Sequence, residues 1–261
     1  MGHRASNPNA SPPYTAPAPI PADVGIVAAL PLELGFFVDR LKKVRKYKTA
    51  ASTIIEGEFG NKVVAVVYSG AGRSAARIAT QILIAGHRPN LIISAGFAGG
   101  LNPGFTRGQL IYPSEILDLD GNRFPVALLD THEAPSDASS NLRLLTVDAI
   151  ARTAAEKADL RTRFGADLVD METSAVAEVC QSQGHGFLSI RTISDDAAAE
   201  LPAEIVAMLN RSLSFQVGAA FRAIWNRPTA VKDFWTLHSN AIEASDQLAK
   251  GLGSAIERYC G

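Results

Sequence analysis

The sequence predicts one α/β domain: a mostly parallel, mixed central sheet flanked by helices, with a helical extension at the C-terminal end. Three observations lead there. Short apolar runs bounded by turn residues recur along the chain, helical patterns separate several of them, and 261 residues at 47% hydrophobic content suffice for one large core.

The runs that read as strands buried on both faces are Val24 to Leu30, Lys62 to Tyr68, Leu91 to Ser94, Gln109 to Tyr112, Asp167 to Val169 and Phe187 to Ile193. Helical patterns cover Arg73 to Ala85, Thr173 to Cys180 and Glu204 to Trp225. In the last of these, Ile205, Leu209, Leu213, Val217 and Phe221 recur every fourth residue and form an apolar stripe. Residues 1–22 hold six prolines among Ala, Ser and Asn, a composition that buries nothing. They read as a disordered leader, without the apolar centre of a secretion signal. The domain then spans 23–225 and the extension 226–261, where Leu248, Leu252 and Ile256 share a helical face that packs on the body.

Charge narrows the function classes. Lys plus Arg number 25 against 26 for Asp plus Glu, a net −1, with no run of five basic residues. That balance argues against a nucleic-acid binder held by phosphate contacts. No stretch approaches the roughly 18 apolar residues of a membrane span. Cys180 and Cys260 cannot build a disulfide framework, which fits a reducing cytoplasm. The five histidines show no ligand clustering, so no metal is expected.

In open α/β sheets ligands bind beyond the carboxyl ends of the strands. The segments there are Leu30-Pro-Leu-Glu33, Ser69-Gly-Ala-Gly-Arg73, Gly96-Phe-Ala-Gly-Gly-Leu101, Asp170-Met-Glu172 and Ser194-Asp-Asp196. Acidic groups stand at three strand ends and glycine turns at two. Each has a bland alternative. Gly70 and Gly72 fit a tight strand-to-helix turn and do not continue into G-x-G-x-x-G, which removes a dinucleotide site. Asp195 or Asp196 would make a helix N-cap, and Glu172 would suit a first helical turn. Arg73 reads as a solvated helix residue.

These strand-end motifs resemble the purine nucleoside phosphorylase and uridine phosphorylase family over about residues 23 to 225. Val24 to Glu33 resembles its opening strand and following glutamate, and Ser69 to Arg73 its second glycine turn. Gly96 to Leu101 resembles its G-x-A-G-G-L signature. Val169-Asp-Met-Glu-Thr-Ser-Ala175 and Arg191-Thr-Ile-Ser-Asp195 resemble E-M-E-x-x-A and R-x-I-S-D. The likeness is closest to methylthioadenosine/S-adenosylhomocysteine nucleosidase-like members, with features of hopanoid-associated phosphorylase-like members around Leu201 to Glu204 and after Pro228.

The resemblance implies cleavage of an N-glycosidic bond in an adenosine-type 5′-substituted nucleoside. Asp195 then protonates the purine N7 and Glu33 activates the attacking water. Glu172 bonds the ribose hydroxyls, Met171 packs beneath the sugar, and Phe97, Ala98, Gly99, Ile150 and Ser194 complete the substrate contacts. Asp195 must hold or share a proton, supplied by burial and neighbouring carboxylates, while Glu172 stays ionised. No cofactor and no metal are implied. The implied partners are a small nucleoside and a second copy in a homodimer, with membrane contact only for a lipid-linked substrate. Ile150 stands where an aromatic ring meets the base, and Phe97 where a small residue is usual. Two alternatives follow: a phosphorylase of a bulky or lipid-linked nucleoside such as adenosylhopane, with Arg73 assisting anion binding, and a non-catalytic nucleoside-binding module.

Overall fold

The computed structural model describes residues 18–49, 52–126, 141–201 and 228–260, with only the backbone for 228–240. Eleven strands form one mixed sheet. Its order is β2(Lys42–Lys48), β3(Thr53–Phe59), β4(Lys62–Tyr68), β1(Val24–Ala28), β5(Leu91–Gly100), β10(Leu168–Asp170), β9(Arg143–Thr146), β7(Glu115–Asp118) and β8(Arg123–Pro125). Off this path, β11(Gly186–Asp195) pairs with β5 and with β6(Leu110–Ile111).

The parallel centre follows from residues that are apolar on both faces. β1 runs parallel to β4 and β5, and β11 runs parallel to β5. Every residue of β1 is buried, as the uninterrupted run Val-Gly-Ile-Val-Ala requires. Helix α2(Arg73–His87) packs against α4(Thr173–Gln183), and α1(Pro31–Val38) against α5(Pro228–Tyr259). The sheet lies between these pairs, so the α/β class and the flanked mixed sheet hold. The predicted stripe over Glu204 to Trp225 lies outside the described residues.

The C-terminal face holds as well. Leu248, Leu252 and Ile256 of α5 are all essentially buried in the main core, each contributing on the order of 1.5–3 kcal/mol relative to exposure. The leader boundary needs correction: Ala22 is buried, its N–H donates to His87 O at 2.8 Å, and Ile20 N–H donates to Glu56 Oε2 at 3.2 Å. An unpaired backbone N–H beside the core would be costly, which draws these residues onto the body.

Gly96 to Leu101 is a second correction. It is not a turn after a strand; Gly96 to Gly100 continue β5, Gly96 to Gly99 pairing with β11 on one side and Gly99 and Gly100 pairing with β10. Small residues let three strands converge there. The edge strand β2 (Lys-Lys-Val-Arg-Lys-Tyr-Lys) is nearly all exposed, and its cations guard an unpaired edge against further strand addition.

Candidate active site

Glu33 is set by its helix. Pro31 opens α1, where a missing N–H costs nothing. From the next turn position Glu33 reaches back, its Oε2 accepting from Leu30 N–H at 2.8 Å. Its Oε1 accepts from Phe97 N–H at 2.9 Å. The side chain is buried, and burial pushes its carboxyl above the usual range; the Phe97 and Leu30 N–H groups and the Arg191 charge oppose that rise. A Cβ on Gly96 would stand 2.6 Å from Glu33 Oε1 and 2.7 Å from Arg191 Nη1. Only glycine admits both groups across β5. Tyr68, closing β4, carries a hydroxyl pushed up to about 12 by burial and then by the Glu33 charge.

Arg191 is the buried cation among the acids. Its Nη2 donates to Ser94 Oγ at 2.7 Å and Asp170 Oδ2 at 2.9 Å, and also contacts Thr173 Oγ1. Asp170 in turn accepts from Thr146 Oγ1 at 2.8 Å and Thr173 N–H at 3.0 Å. Glu172 follows at the start of α4. It is partly buried, its Oε1 accepting from Gly72 N–H at 2.7 Å and its Oε2 from Met171 N–H at 3.3 Å. Gly72 has φ +95°, a left-handed conformation that aims its N–H away from α2 toward Glu172.

Burial first, then the charges of Asp170 and Glu33, push the Glu172 carboxyl up to about 8, against the pull of Gly72 N–H and Arg191. That direction runs against the sequence-based expectation of an ionised Glu172: three carboxylates around one arginine exceed what that cation balances, which favours the neutral form. A protonated carboxyl donates to one hydroxyl and accepts from another.

Asp195 ends β11, just after a bulge between Ile193 and Asp195, and lies opposite Gly99. About 10 Å of strand separates Gly96, beside Glu33, from Gly99. Ser194 Oγ donates to Asp195 Oδ1 at 2.6 Å and lies 3.2 Å from Ala98 O. The other oxygen pairs with Lys157 Nζ at 2.6 Å. The expectation of neighbouring carboxylates at Asp195 is thus replaced by an ammonium. Lys157 was not legible as a site residue, because its partner is 38 positions away.

Glu33, Phe97, Glu172, Met171 and Arg191 are therefore joined by direct bonds or shared neighbours, and Ala98, Gly99, Ser194 and Asp195 form an adjoining group. Met171 packs against the small cluster of Leu101, Leu145 and Val169. Ile150 lies half-buried in the segment between β9 and α3(Ala154–Phe164). Arg73 is engaged by Asp148, through Nε to Oδ1 at 3.0 Å and Nη2 to Oδ2 at 3.2 Å. A cleft of about 620 Å³ over the α2 start is lined by Ala71, Gly72, Arg73 and Asp148; it borders Glu172 through Gly72, while Glu33 and Asp195 stand outside it. Among the described residues no cluster of His, Cys, Asp and Glu is placed to hold a metal.

Buried carboxylates gather at the carboxyl ends of the strands, which is where open α/β proteins bind their ligands. The sequence matches the Phosphorylase superfamily over residues 23–147 and 143–222, and the chain belongs to that family. Among curated proteins it is similar to the 5′-methylthioadenosine/S-adenosylhomocysteine nucleosidase of Actinobacillus succinogenes, 29% identical over 68% of this chain and 87% of the relative. The enzyme of the same name from Pseudoalteromonas translucida is 27% identical over 69% and 87%. Among solved structures, the S. pneumoniae nucleosidase with a transition-state inhibitor shares the fold: TM-score 0.67, 19% identity, 90% of this chain and 99% of that one.

Proposed function

We infer that this protein is an N-ribosyl hydrolase, a nucleosidase that cleaves adenosine-type nucleosides carrying a 5′ substituent such as methylthio or homocysteinyl. One observation carries the reading: a buried carboxylate, Glu33, clamped by two backbone N–H groups beside Arg191. The names of the curated relatives support the substrate class.

In this reading Glu33, its basicity raised by burial, takes a proton from water as its oxygen attacks C1′. The N-glycosidic electron pair moves to the base, and Asp195 gives its proton to N7, so the base leaves neutral. Glu172 bonds the ribose hydroxyls. Met171, Phe97, Ala98, Gly99 and Ser194 frame the nucleoside, and Ile150 offers the base an aliphatic neighbour. The proton on Glu33 returns to Asp195 through solvent. Arg73, held by Asp148, is poorly placed to serve phosphate, which favours hydrolysis over phosphorolysis.

We place the enzyme in the cytoplasm, in keeping with the free thiols of Cys180 and Cys260; no described helix is long and apolar enough to cross a membrane. We also propose a homodimer. Leu32 and Phe36, one turn apart on the helix of Glu33, are 45% and 41% exposed, an apolar pair suited to a second copy.

The test uses purified protein and 5′-methylthioadenosine in phosphate-free buffer. Adenine and a free reducing sugar are expected. Turnover only with phosphate, yielding a sugar 1-phosphate, would overturn the reading, and sedimentation reports the dimer.

A further inference from the structure

Helix α3 presents a contradiction that leads to Asp195. The helix is well begun, with Thr153 Oγ1 accepting from Glu156 N–H at 3.1 Å and Glu156 Oε2 accepting from Thr153 N–H at 3.1 Å. Yet its one fully buried residue is a lysine. Lys157 is 0% exposed. Burying an ammonium costs several kcal/mol unless its donors and charge are met. Here all three donors are met: Nζ donates to Asp195 Oδ2 at 2.6 Å, Asp196 O at 2.6 Å and Ala199 O at 3.2 Å. The two carbonyls belong to the turn just after Asp195, closed by Ala199 N–H donating to Asp196 O. That turn is also tied to the α3 entrance, where Leu201 N–H donates to Arg152 O at 2.8 Å.

Holding a turn does not by itself require a charge; a neutral donor such as glutamine would bond two carbonyls at lower desolvation cost. What a neutral donor lacks is compensation for an anion. We propose that Lys157 is the positioning residue of the acid step: it fixes the Asp195 carboxyl and supplies the counter-charge for the carboxylate that remains when Asp195 gives its proton to the base. The step balances. The proton passes from Asp195 to the leaving nitrogen, the glycosidic pair goes to the base, and Lys157 keeps its own protons. The benefit falls where charge develops, which is where fixed charges accelerate reactions most.

This inference rests on the nucleosidase reading, and the experiment separates the two. kcat and KM on 5′-methylthioadenosine are measured for wild type, Lys157→Gln and Lys157→Arg, with melting curves as the folding control. The glutamine variant should lose kcat by about 100-fold with KM within threefold. The arginine variant, keeping the charge, should recover most of the wild-type kcat. Equal kcat in folded wild type and Lys157→Gln, or a loss confined to KM, would overturn the proposal while leaving the nucleosidase reading intact. An inert wild type would remove the reading and this inference with it. Lys157→Met, which fills the same stem volume, replaces the glutamine variant if that one does not fold; failure of both to fold would make Lys157 a structural lysine only.

Discussion

Two buried charge clusters stand at opposite ends of the parallel strands. At the carboxyl ends, Glu33, Asp170 and Glu172 gather around Arg191. Toward the amino ends, Glu56 of β3 faces His87, the last residue of α2, with Nε2 and Oε2 3.2 Å apart, and both are almost wholly buried. Tyr47 stacks edge-on against His87 at 5.4 Å, and Arg45 lies 3.7 Å from Glu56. Burial of charge is common to both, so burial alone does not mark a site. The difference lies in what the acids hold. Glu33 and Glu172 take backbone N–H groups from other strand ends and are left with more negative charge than one arginine balances. Glu56 instead holds the entering chain at Ile20 and one imidazole. The carboxyl end gathers three acids around one arginine, while the amino end sets one acid against one imidazole.

Exchanging carboxylate for amide at each end should break the symmetry most sharply. Glu33→Gln should lower kcat on 5′-methylthioadenosine by about 10²–10⁴-fold, whereas Glu56→Gln should change kcat less than threefold and reveal itself in a lower urea midpoint. Equal losses at both positions would erase the distinction.

The next contrast is in stability against pH. Glu172, with its folded-state pKa raised to about 8, contributes stability that is fully present below its unfolded value near 4.3 and is lost as pH rises toward 8. The neutral mimic Glu172→Gln should therefore grow more stable relative to wild type across that window, by on the order of 2 kcal/mol once partial exposure is discounted. It should meanwhile bind and turn over nucleoside poorly. A constant difference between the two urea midpoints from pH 5 to pH 8 would show that the carboxyl carries no such strain.

The smallest effect belongs to the amino end. Burial pushes His87 down, against the pull of Glu56. Its contribution is present above the unfolded value near 6.5 and is lost as pH falls below it, at no more than about 1.4 kcal/mol per pH unit. His87→Gln should flatten that slope between pH 6.5 and 5 without altering turnover at pH 7.5, as paired urea titrations and rate assays would record.

What could be read from the sequence follows the same divide. β1, β4 and β11 announce themselves because both their faces are apolar, and α2 because its apolar positions recur at helical spacing. β2 is hidden: an edge strand of lysines alternates nothing. α3 is hidden too, since its buried position is a lysine and no stripe marks it. α1 is short, with only eight residues. At the site, Glu33, Glu172 and Asp195 stand out as acids at strand ends, where motif and topology coincide. Lys157 does not, because its significance lies in partners that only the folded chain brings near. Ile150 shows the converse: its role is taken from resemblance alone, since neither its chemistry nor its spacing marks it.

One contact spans nearly the whole chain. Ser245 Oγ of α5 donates to the main-chain oxygen of Glu33 at 3.0 Å, bridging 212 positions, and α5 covers the helix that bears this acid. During synthesis the segment carrying Glu33 emerges before its cover, whose Ser245 lies 212 positions further on. The newborn chain therefore holds Glu33 on an uncovered helix until α5 docks, and the surroundings of that carboxylate are complete only once the two segments meet.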